Sequence, residues 1–294
     1  MINPKRPSPR ISLFGFRAWF GLRHSNFGIP SKLPAPALLA VLLVLSGVGA
    51  ARGAETNAAP FQPVLPDPAL FLAGRYVFQN NCVVCHGRFG DGRGELAPTL
   101  KPPPRNFNHG VFKFRSTPAG SLPTNDDLAR IVRQGLGGTA MPIFAQLPER
   151  DVRAVVEYLK SFSARWKNPS NYQPALAVPE KPAWLEAEAK ASQHAARGKT
   201  LFATTCAPCH GNDGSGNGPS AATLRDSWDQ PISPRDLGKD ALRAGSEPEQ
   251  IFRTLITGLD GTPMASFLET TSPEQRWELI AFLLELRREA VRKK

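Results

Sequence analysis

Cys82-Val83-Val84-Cys85-His86 is the stretch on which the reading of this chain turns, and it returns as Cys206-Ala207-Pro208-Cys209-His210. Two thiols three residues apart can each bond one vinyl group of a single porphyrin, while the adjoining imidazole reaches the iron beneath it. Each stretch therefore reads as a covalent c-type haem attachment site, and two sites imply two haems. Cys82, Cys85, Cys206 and Cys209 are the expected anchors, with His86 and His210 on the irons. The pattern consumes all four cysteines of the chain. A structural zinc site would have to gather both motifs in one place. A thioredoxin-like redox motif would sit among alternating strands and helices, and neither stretch does.

Working outward, much of the sequence occurs twice at a nearly constant step. Cys82 recurs as Cys206, Gly74 as Gly198, Phe78 as Phe202, Thr99-Leu100 as Thr223-Leu224, Gly135 as Gly258, Met141 as Met264 and Tyr158 as Phe282. The chain is thus two copies of one unit. The copies are expected at 69–167 and 184–291, joined by a semi-rigid linker over 168–183 that carries Pro169, Pro174, Pro179 and Pro182.

Each copy shows the same coarse order. Leu70 to Asn80 and Ala187 to Ala203 look helical and lead into the attachment stretch, and glycine-bearing loops follow over 87–94 and 211–218. A helix is expected from Thr124 or Asn125 to Gly135, with Asp126 and Asp127 in its first turn. Its partner is expected to begin in a capping box at Ser246-Glu247-Pro248-Glu249 and to end at Gly258. Apolar stripes then mark a last helix in each copy, Val152, Val155, Val156 and Leu159 in one and Trp277, Ile280, Ala281 and Leu284 in the other. Ser272-Pro273-Glu274-Gln275 caps the second of these. No stretch alternates with period two for long, so the fold class is all-α with extended loops.

An iron held from one side by imidazole needs a sixth ligand if it is to carry electrons, and thioether sulfur raises its potential. The chain has three methionines, and setting aside Met1 leaves Met141 and Met264, one per copy at equivalent places. A lone methionine is ordinarily core filler; the matched placement favours ligation here. His109 and His194 occupy non-equivalent places and read as surface residues, a stand-in ligand after a switch being the alternative. Arg105 and Arg235, each following a proline, are candidates to bind haem propionates bidentately, an ordinary solvated arginine being the alternative.

The formal charge of +11 is concentrated at the start of the chain. Six of the 36 basic residues precede position 51, where no acid occurs; the remaining 30 face 25 acids. Haem propionates would lower the balance further, so no nucleic-acid partner is expected. Lys5, Arg6, Arg10, Arg17, Arg23 and Lys32 precede an uncharged run from Leu33 to Ala51, which matches a secretory signal over 1–50 with cleavage after Ala50. Pro34 and Pro36 shorten the apolar span below the roughly twenty residues of a transmembrane helix; a retained anchor is the alternative.

With the attachment motif early, a glycine-flanked methionine late and a helix at each end, both copies resemble class I c-type cytochrome domains. The resemblance implies His86 with Met141 on one iron and His210 with Met264 on the other. It also implies a crossing of first and last helices at Gly74, Phe78 and Tyr158, and at Gly198, Phe202 and Phe282. The second copy departs by inserting residues near Trp228 to Pro231, and the first by extra length around Phe112 to Pro123. The expected function is a periplasmic dihaem electron carrier between protein redox partners of a respiratory chain, with no substrate turned over at either iron. Two alternatives stand beside it: a dihaem peroxidase, which requires an open iron, and an electron-input subunit of a larger respiratory oxidoreductase. Membrane association would come through an uncleaved leader or such a complex. A thiosulfate-oxidising dihaem enzyme lacks its cysteine ligand here, because no fifth cysteine exists.

Overall fold

The computed structural model describes residues 67–292, so the expected leader lies outside the described residues. Helix α1, Pro68–Asn81, starts where the Asp67 carboxylate accepts the Ala69 N–H at 2.8 Å and proline occupies the first helical position. It runs directly into the short helix α2, Val83–His86, which carries the first attachment stretch. Helix α3, Asn125–Gln134, opens with the expected capping box, Thr124 paired reciprocally with Asp127. Helix α4, Glu149–Lys160, turns its apolar stripe inward: Val152, Val155 and Val156 are all buried.

The second copy repeats this order. Helix α5, Glu188–Thr205, leads into α6, Ala207–His210. Helix α7 is Pro248–Thr257 and α8 is Pro273–Arg292. The capping box of α7 sits one residue later than expected, with Glu247 as cap and Gln250 as its reciprocal partner. Pro248 explains the shift: its fixed φ and missing N–H suit the first helical position, which places the cap on the residue before it. At α8 the expected box forms, Gln275 donating its N–H to the Ser272 hydroxyl at 3.2 Å and Ser272 its own to the Gln275 carbonyl oxygen at 2.8 Å. Among the described residues no strand forms; an isolated bridge joins Arg225 and Pro231.

In each copy the first helix packs across the last at a glycine. A Cβ on Gly74 would stand 1.9 Å from the Ala154 carbonyl oxygen, and one on Gly198 would stand 2.0 Å from that of Glu278. Backbones meet there because no side chain intervenes. Aromatic rings fill the crossing above, with Phe78 and Tyr158 centred 5.4 Å apart and Phe202 and Phe282 5.1 Å apart. Phe78 and Phe202 are almost wholly buried, each contributing about 1.5–3 kcal/mol of apolar burial. A buried ion pair tightens the first copy. Lys160 donates to Glu157 at 2.6 Å, and Glu157 in turn accepts the Asp67 N–H at 2.8 Å, joining the start of α1 to α4.

The proline-rich stretch between the copies is largely exposed but pinned to both cores at a few residues. The Tyr172 hydroxyl donates to the Trp166 carbonyl at 2.7 Å inside the first core. Leu176 donates its N–H to the Ser116 carbonyl at 2.8 Å, while its side chain and that of Val178 pack on the second core. Both copies fall within one compact unit. No helix among the described residues is long and apolar enough to cross a membrane.

Candidate functional site

Each attachment stretch is a single helical turn placed by its own carbonyls. The His86 N–H donates to the Cys82 carbonyl at 2.9 Å, and the His210 N–H to that of Cys206 at 2.9 Å. This winding puts both cysteines and the imidazole on adjoining faces. Burial pushes the Cys82 thiol up to about 12 and the Cys206 thiol up to about 11, in each case helped by the neighbouring cysteine. Such a setting disfavours thiolate and therefore a metal-thiolate site; an uncharged thioether sulfur suits it.

The two imidazoles are oriented from behind. His86 Nδ1 lies 3.1 Å from the Arg105 carbonyl, an arrangement that makes Nδ1 the donor and leaves Nε2 for the iron. Its ring also stacks on Phe107, with centroids 4.6 Å apart. His210 Nδ1 is buried and has no hydrogen bond of normal geometry, yet the Arg235 carbonyl is close enough to pull its pKa upward. Burial outweighs that pull, and both imidazoles are held below the ordinary histidine range. Neutral imidazole is the form that ligates iron.

Met141 and Met264 are each delivered by a turn of the same internal design. In the first, Leu136 N–H donates to the Met141 carbonyl at 3.2 Å, and the Thr139 hydroxyl donates to the Leu136 carbonyl at 2.7 Å while accepting the Met141 N–H at 3.1 Å. In the second, Leu259, Thr262 and Met264 repeat those three bonds at 2.9, 2.7 and 3.2 Å. Gly135 and Gly258, with φ of 62° and 64°, end α3 and α7 and begin these turns.

These turns are where the two copies meet, in a nearly reciprocal way. Ala241 Cβ lies 3.7 Å from where a Cβ on Gly138 would stand, and Val111 Cγ1 lies 3.3 Å from the same point on Gly261. Val111 and Ala241 occupy equivalent places, six residues after Arg105 and Arg235, and Gly138 and Gly261 each stand three residues before a methionine. The methionine turn of each copy therefore rests on the loop that follows the other copy's attachment helix, about an internal pseudo-twofold axis. Arg235 Nη2 approaches the Gly138 position to 2.8 Å, and the Arg105 guanidinium lies over Trp228 at 5.6 Å, whose ring touches the Gly261 position.

The basic residues expected to bind propionates thus face this junction, and the structure adds two more at equivalent places, Lys113 and Arg243. Lys113 is held down to about 8 by burial and by Arg105 and Arg243, with Asp226 opposing. Arg243 is lowered by burial and by Arg235, with Asp240 opposing. The buried Nε atoms of Arg235 and Arg243 have no partner in the chain. Four cations against two carboxylates, with two orphaned donors, fit the propionates of covalent haem. Lys113 and Arg243 carry no motif of their own; their matched distance from Arg105 and Arg235 is the signal that would have found them.

Among the described residues, neither remaining histidine stands with these groups. His109 is exposed with its ring 4.9 Å from that of Trp228. His194 stacks flat on Trp184 at 3.6 Å and pairs with Glu274 and Glu278 at 3.3 Å each.

The family described as Cytochrome c matches residues 195–287, and the family described as Cytochrome C oxidase, cbb3-type, subunit III matches residues 69–159. A chain of the reducing HAO-like protein complex of Kuenenia stuttgartiensis is 35% identical at a TM-score of 0.66, covering 73% of this chain and 95% of that one. This chain belongs to the class I c-type cytochromes, in tandem dihaem form. The cytochrome is also similar to two cbb3-type cytochrome c oxidase subunits. FixP of Azorhizobium caulinodans is 22% identical over 250 residues, 84% of this chain and 71% of that protein. CcoP of Cereibacter sphaeroides is 30% identical over 149 residues, 49% of this chain and 41% of that protein. The cytochrome carries two covalent c-type haems and is an electron carrier.

Proposed function

We propose that this cytochrome is exported to the periplasm and passes single electrons between protein partners of a respiratory chain, docked to or built into a membrane oxidoreductase complex. That FixP and CcoP are cbb3-type oxidase subunits, and that the Kuenenia neighbour is part of a complex, supports that setting. Cys82, Cys85 and His86 would hold one haem, with Met141 supplying sulfur to its iron; Cys206, Cys209 and His210 would hold the other, with Met264. The haems supply reversible one-electron chemistry at iron. The chain's own residues fix the imidazoles from behind, keep sulfur uncharged and neutralise carboxylates at the junction. With His and Met of the chain supplied to each iron, neither would be left open to a substrate, which separates this reading from a dihaem peroxidase.

The observation that carries the reading is the reciprocal seating of each methionine turn on the other copy. That seating supports two haem pockets that are neighbours within one molecule, where an electron entering one would pass to the other without a second encounter. Rapid pulse reduction of one haem followed spectroscopically tests this. The rate of equilibration is expected to be independent of protein concentration; a rate proportional to concentration would mean intermolecular transfer. Sequencing the N-terminus of protein from the periplasm of the native host tests export, with Ala51 expected as the first residue.

A further inference from the structure

The two methionine turns share their internal bonds but not their bracing. Arg115, only 2% exposed, crosses from the first copy into the second. Its Nη2 donates to the Thr257 carbonyl at 2.9 Å and pairs with Asp260 Oδ1 at 2.8 Å. Its other nitrogens are tied at home, Nε to the Pro118 carbonyl at 3.1 Å and Nη1 to that of Phe112 at 3.3 Å. Asp260 also accepts the Gly120 N–H at 3.0 Å. Thr257 closes α7, and Asp260 stands inside the Gly258-to-Met264 turn, so the brace grips the first half of the element that presents Met264. By the repeat, the positions matching Asp260 and Arg115 are Gly137 and Gly245, which have no side chains to make such a pair.

We infer that Arg115 and Asp260 are positioning residues for the sixth ligand of the second haem, so that its sulfur ligation is braced by a buried ion pair from the first copy that the first haem's turn lacks. This rests on the Met264 assignment above. A buried guanidinium locked by its own carbonyls is a rigid strut, and an ion pair with a half-sheltered carboxylate is stronger than an exposed one. Loosening it frees the turn to release sulfur. Arg115 touches neither ligand nor haem, so its effect travels through Asp260 and Thr257.

The test uses full-length holoprotein in which Met141→Ala leaves Met264 as the sole source of the sulfur-to-iron charge-transfer band. In that background Asp260→Asn and Asp260→Ala are expected to weaken the band and to raise carbon monoxide affinity of the reduced second haem about tenfold, in the usual range of coupling between sites. Arg115→Lys, which keeps the charge but loses the fork tied to Phe112 and Pro118, is expected to weaken the band less than Asp260→Ala does. In the reciprocal Met264→Ala background, Asp260→Asn is expected to leave the Met141 band unchanged. An unchanged Met264 band overturns the inference. Equal weakening of both bands overturns it as well, because the pair would then be general glue between the copies. Absence of any band in Met141→Ala itself would instead sink the Met264 assignment, and the inference with it.

Discussion

Arg105 holds its guanidinium carbon 5.6 Å from the centre of the Trp228 ring, and the far edge of that ring abuts the backbone of Gly261. One indole thus links the loop behind His86 to the turn that presents Met264. Trp228→Ala is expected to cost about 1–3 kcal/mol in stability through lost packing and cation–π attraction. Both haem spectra should persist while electron equilibration within the molecule slows. Denaturant unfolding and pulse reduction on the same sample check the two halves of this expectation.

Removing either sulfur should open one iron at a time. Met141→Ala and Met264→Ala are each expected to lower one of the two reduction potentials and to confer carbon monoxide binding on one reduced haem, because thioether ligation favours the reduced state. Redox titration and carbon monoxide difference spectra read this directly. Stoichiometric carbon monoxide binding by the unmodified protein would count against both assignments and for the peroxidase reading.

Gly74→Ala and Gly198→Ala are expected to destabilise their own copy by at least about 1–3 kcal/mol, the usual cost of overpacking, since the added carbon would meet a carbonyl oxygen at 1.9 or 2.0 Å. The helices must separate to admit it, and haem incorporation should fall with the packing. Thermal unfolding followed by far-ultraviolet dichroism, with haem content per chain, is the check.

Lys113 introduces a pH dependence whose sign can be worked out. Its ammonium, held near 8 against an ordinary 10.5, loses its proton as pH rises through that value. A nearby cation disfavours the oxidised haem, which carries one more positive charge, so deprotonation lets the potentials fall. Potentials are therefore expected to decline across pH 8 by tens of millivolts. Lys113→Gln should sit on the lower plateau throughout, and Lys113→Arg on the upper one. Spectroelectrochemical titration between pH 6 and about 10 measures it.

What the sequence made legible was whatever is encoded locally. The attachment stretches and the caps at Thr124 and Ser272 follow from spacing within a few turns of chain, the two methionines stood out through the repeat, and the glycine crossings were implied by the family resemblance. The junction was not legible, because it is assembled from loops with no hydrophobic period. Trp228 appeared only as part of an insertion, and Arg115 and Gly120 as part of extra length. Those departures from the repeat turn out to furnish contacts between the copies. The shifted cap at Glu247 is a smaller case of the same kind, a proline moving a boundary that side-chain type alone left one residue early.

The pseudo-twofold seating of the copies has a consequence beyond adjacency. A junction between identical chains obliges both sides to keep the same residues, and electron transfer across it has no preferred direction. Here the equivalent positions lie on one chain and have diverged: Lys113 corresponds to Arg243, Val111 to Ala241, and Asp260 to Gly137. Each such difference shifts the surroundings of one haem more than the other. Tandem fusion thereby converts a symmetric contact into one with polarity, in which the free-energy drop between the two irons can be set residue by residue without rebuilding either pocket.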